Sequence, residues 1–128
     1  MKNLAGKKIL VVDDNELLRE VLVDSLNMHG LEIYEAANGE DAFKIALTYF
    51  PDAIITDLQM AGGDGKSLLQ KMSKLEAYRP SIFITSGFND LSELEIKEFN
   101  IIQCFEKPFE RREFSEIIFR FLNQLNEN

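Results

Sequence analysis

Acidic side chains directly follow two of the apolar runs in this sequence. Asp13 and Asp14 come after residues 9–12, and Asp57 comes after residues 53–56. Two carboxylates about 4 Å apart repel each other by about 4 kcal/mol at an effective dielectric of 20. If the three aspartates converge, they must therefore hold protons or a cation. Oxygen ligands select a hard ion, and few protein ligands with retained water suit Mg²⁺ better than Ca²⁺. The alternative is a solvated acidic loop.

Two side chains after later apolar runs add the chemistry of an oxyanion pocket. Ser86 follows residues 82–85, and Lys107 follows residues 101–105. Beside a metal-loaded carboxylate, an ammonium neutralises a tetrahedral oxyanion and a hydroxyl donates a hydrogen bond to it. In such a pocket a carboxylate can attack phosphorus and form an aspartyl phosphate, and Asp57 is the most central candidate. The ordinary alternatives are a turn residue at Ser86 and a solvated lysine at Lys107.

These residues need a fold that brings distant strand ends together. Five short apolar runs recur at intervals of roughly 25 residues, a spacing that leaves room for one helix in each gap. The runs are 9–12, 33–37, 53–56, 82–85 and 101–105. The segments between them show helical periodicity, which is weakest over residues 91–99, where we expect a short helix. Strands alternating with helices predict an α/β fold with a parallel sheet covered on both faces.

The strand order decides where the polar residues meet. We predict a doubly wound five-stranded parallel sheet in the flavodoxin-like order 2-1-3-4-5, as one domain over residues 5–125. In this order strands 1 and 3 are neighbours, and ligands bind beyond the carboxyl ends of the strands. The three aspartates would then face one crevice.

Composition narrows the class of protein. The chain has 128 residues, of which 22 are acidic and 14 basic, a net charge of −8. This balance argues against direct nucleic-acid or membrane binding. Cys104 is the only cysteine, so an internal disulfide is excluded and a reducing compartment is expected. The apolar stretch near the N-terminus is too short for a signal peptide or a membrane span. We therefore expect a cytoplasmic protein.

Five motifs, in order and in register, resemble the response-regulator receiver domain of two-component signalling over nearly the whole chain. They are ILVVDDNELLREVL, EAANGEDA, DAIITDLQMAGGDG, FITSG and FEKPF. The likeness is to the single-domain receivers of the chemotaxis type. It implies a phosphoprotein that takes phosphate on Asp57 from a sensor histidine kinase or a histidine phosphotransfer protein.

The resemblance also implies roles for the other site residues. Asp14, Asp57 and the main-chain carbonyl of Gln59 would ligate Mg²⁺, and Asp13 would assist directly or through water. Ser86 and Lys107 would contact the phosphoryl group. Ser86 is preferred to its neighbour Thr85 for two reasons: side chains alternate along a strand, and the hydroxyl residue of the family is followed by a small one, here Gly87.

The output implied by the resemblance is a protein–protein contact and not DNA binding. Phosphorylation would switch a surface made by helix 4, strand 5 and helix 5 toward a downstream protein target. Residues 90–116 carry eight acidic and four basic side chains, which suits a basic partner. Beyond its own phosphorylation and dephosphorylation, such a domain is not an enzyme.

The sequence departs from the family pattern at two places. Ala61, followed by Gly62 and Gly63, stands where a proline is usual, which predicts a looser loop after strand 3. Cys104 stands where an aromatic switch residue is usual, and Phe88 is a weak substitute. The family also favours a cis peptide at Lys107-Pro108.

Three other functions are compatible with parts of the pattern. The first is a degenerate receiver that acts as a phosphorylation-independent interaction or dimerisation module. The second is a metal-dependent phosphohydrolase, but Gln59 occupies the position of its general acid. The third is a nucleotide-binding Rossmann-type domain, which lacks support because strand 1 is not followed by G-x-G-x-x-G.

Overall fold

The structure is a computed structural model that describes residues 4–27, 29–60, 65–86 and 91–125. Within these residues five strands alternate with five helices. They are β1 (Lys8–Val12), α1 (Glu16–Leu26), β2 (Glu32–Ala36), α2 (Gly39–Tyr49), β3 (Ala53–Thr56), α3 (Gly65–Ser73), β4 (Ser81–Ile84), α4 (Glu93–Glu98), β5 (Ile101–Cys104) and α5 (Arg111–Leu125). The strands pair in parallel in the order β2-β1-β3-β4-β5. The predicted α/β fold and strand order are confirmed.

The core lies on both faces of this sheet, which is why the central strands read as continuous apolar runs. Along β1, Leu10 and Val12 pack in one cluster with side chains of α2 and α3. Ile9 and Val11 face the other side and pack in a second cluster with side chains of α1 and α5. Each strand therefore sends alternate side chains into separate cores.

The strand ends differ slightly from the prediction. β2, β4 and β5 end at Ala36, Ile84 and Cys104, one residue earlier than the apolar runs suggest. The ladder nevertheless continues past β4, because Phe105 N donates to Ile84 O at 2.7 Å. All ten elements fall inside the predicted range of 5–125. In the described part of the chain, no helix has the length and apolar character needed to cross a membrane.

Helices α1 and α2 begin close to the ends of β1 and β2. Asn15 caps α1 by accepting a hydrogen bond from Leu18 N, and Asn38 caps α2 in the same way from Asp41 N. Such caps satisfy main-chain donors that a helix start leaves unpaired. They fix the helices at the edge of the sheet where the aspartates lie.

Helix α4 is short, as its irregular periodicity predicts. It has six residues, none of them buried. Side chains from other elements hold both of its ends: Glu95 pairs with Lys66 of α3 at 3.2 Å, and the Arg79 guanidinium donates to Lys97 O and Glu98 O. With so little buried area, these polar contacts are a large share of what positions α4.

Candidate functional site

Asp13 is a buried carboxylate at the carboxyl end of β1. Its side chain is 1% exposed. Its N–H donates to Ala36 O at 3.1 Å, and its Oδ1 accepts from Asn15 N at 2.8 Å. Its Oδ2 has no hydrogen-bond partner among the described residues. Burial raises the pKa of Asp13, the negative charges of Asp57 and Asp14 add to the rise, and the Asn15 N–H and Lys107 oppose it.

Asp57 lies beside Asp13 at the end of the neighbouring strand. Its N–H donates to Val12 O, which continues the β1–β3 ladder by one residue. Its Oδ1 accepts from Gln59 N at 2.9 Å, and its Oδ2 accepts from Lys107 Nζ at 3.0 Å. The same ammonium lies 3.9 Å from Asp13 Oδ2. One lysine from the β5–α5 connection therefore faces both carboxylates, as the sequence predicts for Lys107.

The two candidate hydroxyls are separated by the register of β3 and β4. Thr56 pairs with Ile84, and Thr85 N donates to Thr56 O, so Asp57 and Thr85 are the next pair. Residues paired in a parallel ladder point to the same face of the sheet. Thr85 is buried, and its Oγ1 has no hydrogen-bond partner in the described part of the chain.

Ser86 makes a different contact. Its Oγ accepts from Leu58 N at 3.3 Å, and Leu58 packs in the cluster on the α2 and α3 side. The register thus places Thr85 in the row of Asp57, while Ser86 Oγ lies at the amide that follows Asp57, and the preference for Ser86 stays a prediction. Alternation was the right argument, but the sequence does not fix which of two adjacent residues faces the crevice. Thr85 is the hydroxyl in the row of Asp13 and Asp57.

The two remaining predicted magnesium ligands lie at the solvent-exposed edge of the acidic pocket. Asp14 and Gln59 are exposed, and the contact of Gln59 with Asp57 is through its N–H. Within residues 4–27, 29–60, 65–86 and 91–125, no group of three His, Cys, Asp or Glu side chains is arranged to hold a metal. The structure thus brings together Asp13, Asp57 and Lys107, whereas the predicted convergence of three carboxylates is reduced to two with Asp14 nearby.

The two departures from the family pattern have different outcomes. Ala61, Gly62, Gly63, Gly87 and Phe88 lie outside the described residues. Cys104 is half-buried, and its thiol donates to the carbonyl of Ser86, so β5 is bonded to the residue after Thr85. Burial raises the pKa of the Cys104 thiol. The Lys107-Pro108 peptide is cis, as predicted.

A glycine that the sequence analysis did not single out packs closely against the main chain of Asp57. Gly65 is the first residue of α3, and its N–H donates to Leu58 O at 3.3 Å. A Cβ at this position would lie 2.1 Å from Asp57 O and 2.9 Å from Leu58 Cα. Only glycine permits this approach of α3 to the main chain of the site.

Comparison with known proteins agrees with this arrangement. The family described as "Response regulator receiver domain" matches residues 9–119. The chain belongs to this family. Receiver domains occur in the response regulators of two-component systems, and the order of motifs predicted this membership.

Individual relatives are similar over nearly the whole chain. Sporulation initiation phosphotransferase F of Bacillus subtilis (strain 168) is 29% identical over 120 residues, which cover 93% of this chain and 96% of that protein. A probable transcriptional regulator ycf27 of Cyanophora paradoxa is 34% identical, with 95% of this chain and 50% of that protein covered. The chain spans about half the length of this relative and of several others.

Solved structures agree on the fold. A putative response regulator from Chloroflexus aurantiacus J-10-fl is 28% identical with a TM-score of 0.77, covering 91% of this chain and 97% of that one. A response regulator receiver domain protein (CheY-like) from Methanospirillum hungatei JF-1 has a TM-score of 0.81 at 22% identity, covering 94% and 97%. The latter likeness concerns the fold alone.

Receiver domains generally bind Mg²⁺ in their acidic pocket, and the donors of this chain fit such an ion. Asp13 Oδ2 is a buried carboxylate oxygen without a hydrogen-bond partner among the described residues. Asp57 is a second, largely buried carboxylate beside it. Hard oxygen donors in small number leave room for the waters that Mg²⁺ retains. An ion here would relieve the repulsion between Asp13 and Asp57.

Replacing Asp13 with asparagine is expected to stabilise the metal-free domain. The change removes a buried carboxylate charge that lacks a hydrogen bond at Oδ2 and is repelled by Asp57 and Asp14, at a cost of about 1 kcal/mol or more, and it keeps the acceptor for Asn15 N. We expect Asp13→Asn to raise the free energy of unfolding by about 1 kcal/mol at pH 7 in EDTA. Urea denaturation in EDTA and in Mg²⁺ measures this, and Mg²⁺ should stabilise wild type more than the variant.

The pH dependence provides the check on this prediction. Because the folded pKa of Asp13 is raised, the native state binds a proton at a pH where the unfolded chain does not. Lowering the pH from neutral through that window therefore stabilises wild type relative to the variant. The advantage of Asp13→Asn should shrink as the pH falls toward 4. An advantage that grows on acidification would contradict the assignment.

Proposed function

We propose that this receiver domain accepts a phosphoryl group on Asp57 and switches a protein–protein contact in response. The observation that carries the proposal is the position of the Asp57 carboxylate, held by Lys107 Nζ at 3.0 Å and Gln59 N at 2.9 Å beside buried Asp13. The donor is a phosphohistidine of a sensor histidine kinase or of a histidine phosphotransfer protein, since receiver domains interact with these proteins. We place both the phosphoryl transfer and the contact with the target protein in the cytoplasm.

In the transfer step, an Asp57 oxygen attacks phosphorus. A phosphorus–oxygen bond forms as the phosphorus–nitrogen bond of the donor breaks, and the departing imidazole takes a proton from solvent. Mg²⁺, when bound, supplies positive charge to the phosphoryl oxygens. Asp13, Asp14, Asp57 and the Gln59 carbonyl are the proposed ligands, some of them through water.

Residues of the chain stabilise the charge that arrives on Asp57. The Lys107 ammonium already touches Oδ2 and is placed to pair with a phosphoryl oxygen. The buried Thr85 hydroxyl has an unused donor in the row of Asp57. Ser86 Oγ lies 3.3 Å from Leu58 N, the amide that follows Asp57, and is the other hydroxyl proposed to contact the phosphoryl group. The chemistry is limited to self-phosphorylation and self-dephosphorylation, so the domain is a signalling switch and not a general enzyme.

The proposed output surface is the face formed by α4, β5 and α5. Leu94 and Ile102 are 72% and 44% exposed on it. β5 connects this face to the site, because Ile84 O, directly before Thr85, accepts from Phe105 N at 2.7 Å. A shift of Thr85 and Ser86 on phosphorylation would therefore displace β5 and the weakly packed helix α4.

The charge of this surface indicates the kind of target. A cavity of about 280 Å³ between β5 and α5 is lined by aromatic side chains and by the carboxylates of Glu106, Glu110 and Glu113. Such a surface favours a basic protein partner and disfavours direct contact with nucleic acid. The downstream target is accordingly a protein with an apolar and basic docking segment.

Incubation with acetyl phosphate tests the proposal. In Mg²⁺ the intact mass of the protein should rise by one phosphoryl group, and in EDTA it should not. Hydroxylamine should remove the added mass, since it cleaves acyl phosphates and leaves phosphate esters of serine and threonine intact. These three results together identify a magnesium-dependent carboxyl phosphate.

A negative result has a defined meaning here. If neither acetyl phosphate nor a phosphorylated histidine phosphotransfer protein adds mass in Mg²⁺, the domain is a degenerate receiver that acts as an interaction or dimerisation module. A mass gain that resists hydroxylamine would place the group on a hydroxyl residue and would exclude Asp57 as the acceptor.

A further inference from the structure

Arg19 lies behind the acidic pocket and bonds to its main chain. It is in the second turn of α1, and its side chain is 16% exposed. Its Nη1 donates to the carbonyl of Asp13 at 2.7 Å. Its Nε donates to Glu35 Oε1 on β2 at 3.2 Å. The guanidinium therefore spans from the edge strand β2 to Asp13, the residue that follows β1.

This contact completes the restraint of Asp13. Its N–H is bonded to Ala36 O, its Oδ1 to Asn15 N, and its carbonyl to Arg19. Its Oδ2 alone has no hydrogen-bond partner among the described residues, and it lies toward Lys107. With every other polar atom of Asp13 held, the direction of Oδ2 depends on those three bonds.

Glu35 keeps the guanidinium in place. A cavity of about 360 Å³, lined by Glu35, Asp41, Lys44 and Ile45 among others, opens beside Arg19. An arginine without a partner would have room to turn away into this space. The fork geometry of the guanidinium allows it to bond Glu35 and the Asp13 carbonyl at the same time.

We infer that Arg19 is a positioning residue for magnesium binding, acting through the Asp13 carbonyl and not through its charge. The inference rests on the proposed function, because it assumes that Asp13 is a ligand. Groups that orient a metal ligand affect affinity strongly, and their loss typically weakens binding by about 10- to 100-fold. We therefore expect Arg19→Gln to weaken Mg²⁺ binding by about tenfold.

The direction of the change in Mg²⁺ affinity distinguishes this positioning role from a purely electrostatic effect of the Arg19 charge. Arg19 is a cation close to a site for a divalent cation, so removing its charge should strengthen Mg²⁺ binding if charge alone matters. Arg19→Lys keeps the charge and loses the fork, so it should bind as wild type if charge alone matters. A positioning role predicts weaker binding for both variants, with lysine the milder.

The test is a titration of ¹⁵N-labelled protein with MgCl₂ at fixed ionic strength, followed by amide shifts, which does not depend on phosphorylation. Arg112→Gln is the matched control, since it removes the same charge from an exposed side chain that pairs with Glu116 of its own helix α5 at 3.3 Å. Thermal unfolding in EDTA measures any general loss of stability. Should Arg19→Gln fail to fold, Arg19→Lys carries the test.

The outcomes are distinct. Weaker binding by both Arg19 variants, with Arg112→Gln like wild type, supports the inference. Binding by Arg19→Gln that is equal or tighter overturns it and leaves the proposed function intact. Wild type that shows no saturable Mg²⁺ binding overturns the magnesium part of the proposed function and this inference with it.

Discussion

Asp57→Asn is expected to abolish phosphoryl uptake. An amide is not a nucleophile toward phosphorus, so the step that forms the acyl phosphate has no acceptor. We expect the rate of mass gain from acetyl phosphate in Mg²⁺ to fall by roughly a factor of 10³ or more. The fold should persist, because asparagine can keep its Oδ1 on Gln59 N. Its amide nitrogen would then face Lys107 Nζ without a hydrogen bond between two donors.

Asp52 provides a close control for this variant. It lies at the other end of β3, where its Oδ2 accepts from Lys8 N at 2.9 Å, the same length as the bond from Gln59 N to Asp57. Asp52→Asn therefore makes the same chemical change at a carboxylate with a similar main-chain contact, but outside the pocket. It should be phosphorylated as fast as wild type. Equal phosphorylation of Asp57→Asn and Asp52→Asn would show that the acceptor lies elsewhere.

The fold was predictable because its signals are local and repeated. Apolar runs of strand length alternate with helical periodicity, and this alternation specifies a parallel sheet with two covered faces. The short, poorly buried α4 was also predictable, since apolar residues without a regular helical spacing cannot bury one face of a helix. In the structure α4 has no buried residues. Strand ends were less certain, because the residues after β2, β4 and β5 are as apolar or β-prone as those within them.

The site was predictable in its charged members and less so in its hydroxyl. Asp13 and Asp57 follow their strands directly and Lys107 comes three residues after the end of β5, so topology brings them together. The choice between Thr85 and Ser86 depends on which face each side chain takes, and a one-residue uncertainty in the strand reverses that face. Register with β3 places Thr85 in the row of Asp57, and register is a tertiary property.

Two supporting residues gave no recognisable sequence signal. Arg19 is one of the 14 basic residues, and the sequence alone predicts a solvent-exposed charge on a helix at this position. Its contact with the Asp13 carbonyl depends on where α1 packs. Gly65 reads as a residue of a loop, whereas in the structure it begins α3 against the site. Both roles come from packing between elements, which local patterns do not encode.

Gly65→Ala is expected to damage stability and the site together. Alanine is the better helix former by about 1 kcal/mol, so propensity alone favours the change. The new Cβ would, however, lie 2.1 Å from Asp57 O, which is main chain and cannot rotate away. Overpacking of this kind costs typically 1–3 kcal/mol, and a clash with main chain lies at the upper end, so we expect a net loss of about 2 kcal/mol in urea denaturation. Because the clash is with Asp57 itself, phosphorylation by acetyl phosphate should also slow.

Gly6→Ala separates this steric effect from backbone strain. Gly6 has a φ of +89° and nothing within 4 Å of its added Cβ, whereas the obstacle at Gly65 is close packing. Gly6→Ala should lose about 1 kcal/mol through its left-handed backbone and leave phosphorylation unchanged. Stability and phosphorylation should thus fall together only in Gly65→Ala. If Gly65→Ala were as stable as wild type, α3 would have to move back from Asp57 without cost, and the close contact would not be what requires glycine at this position.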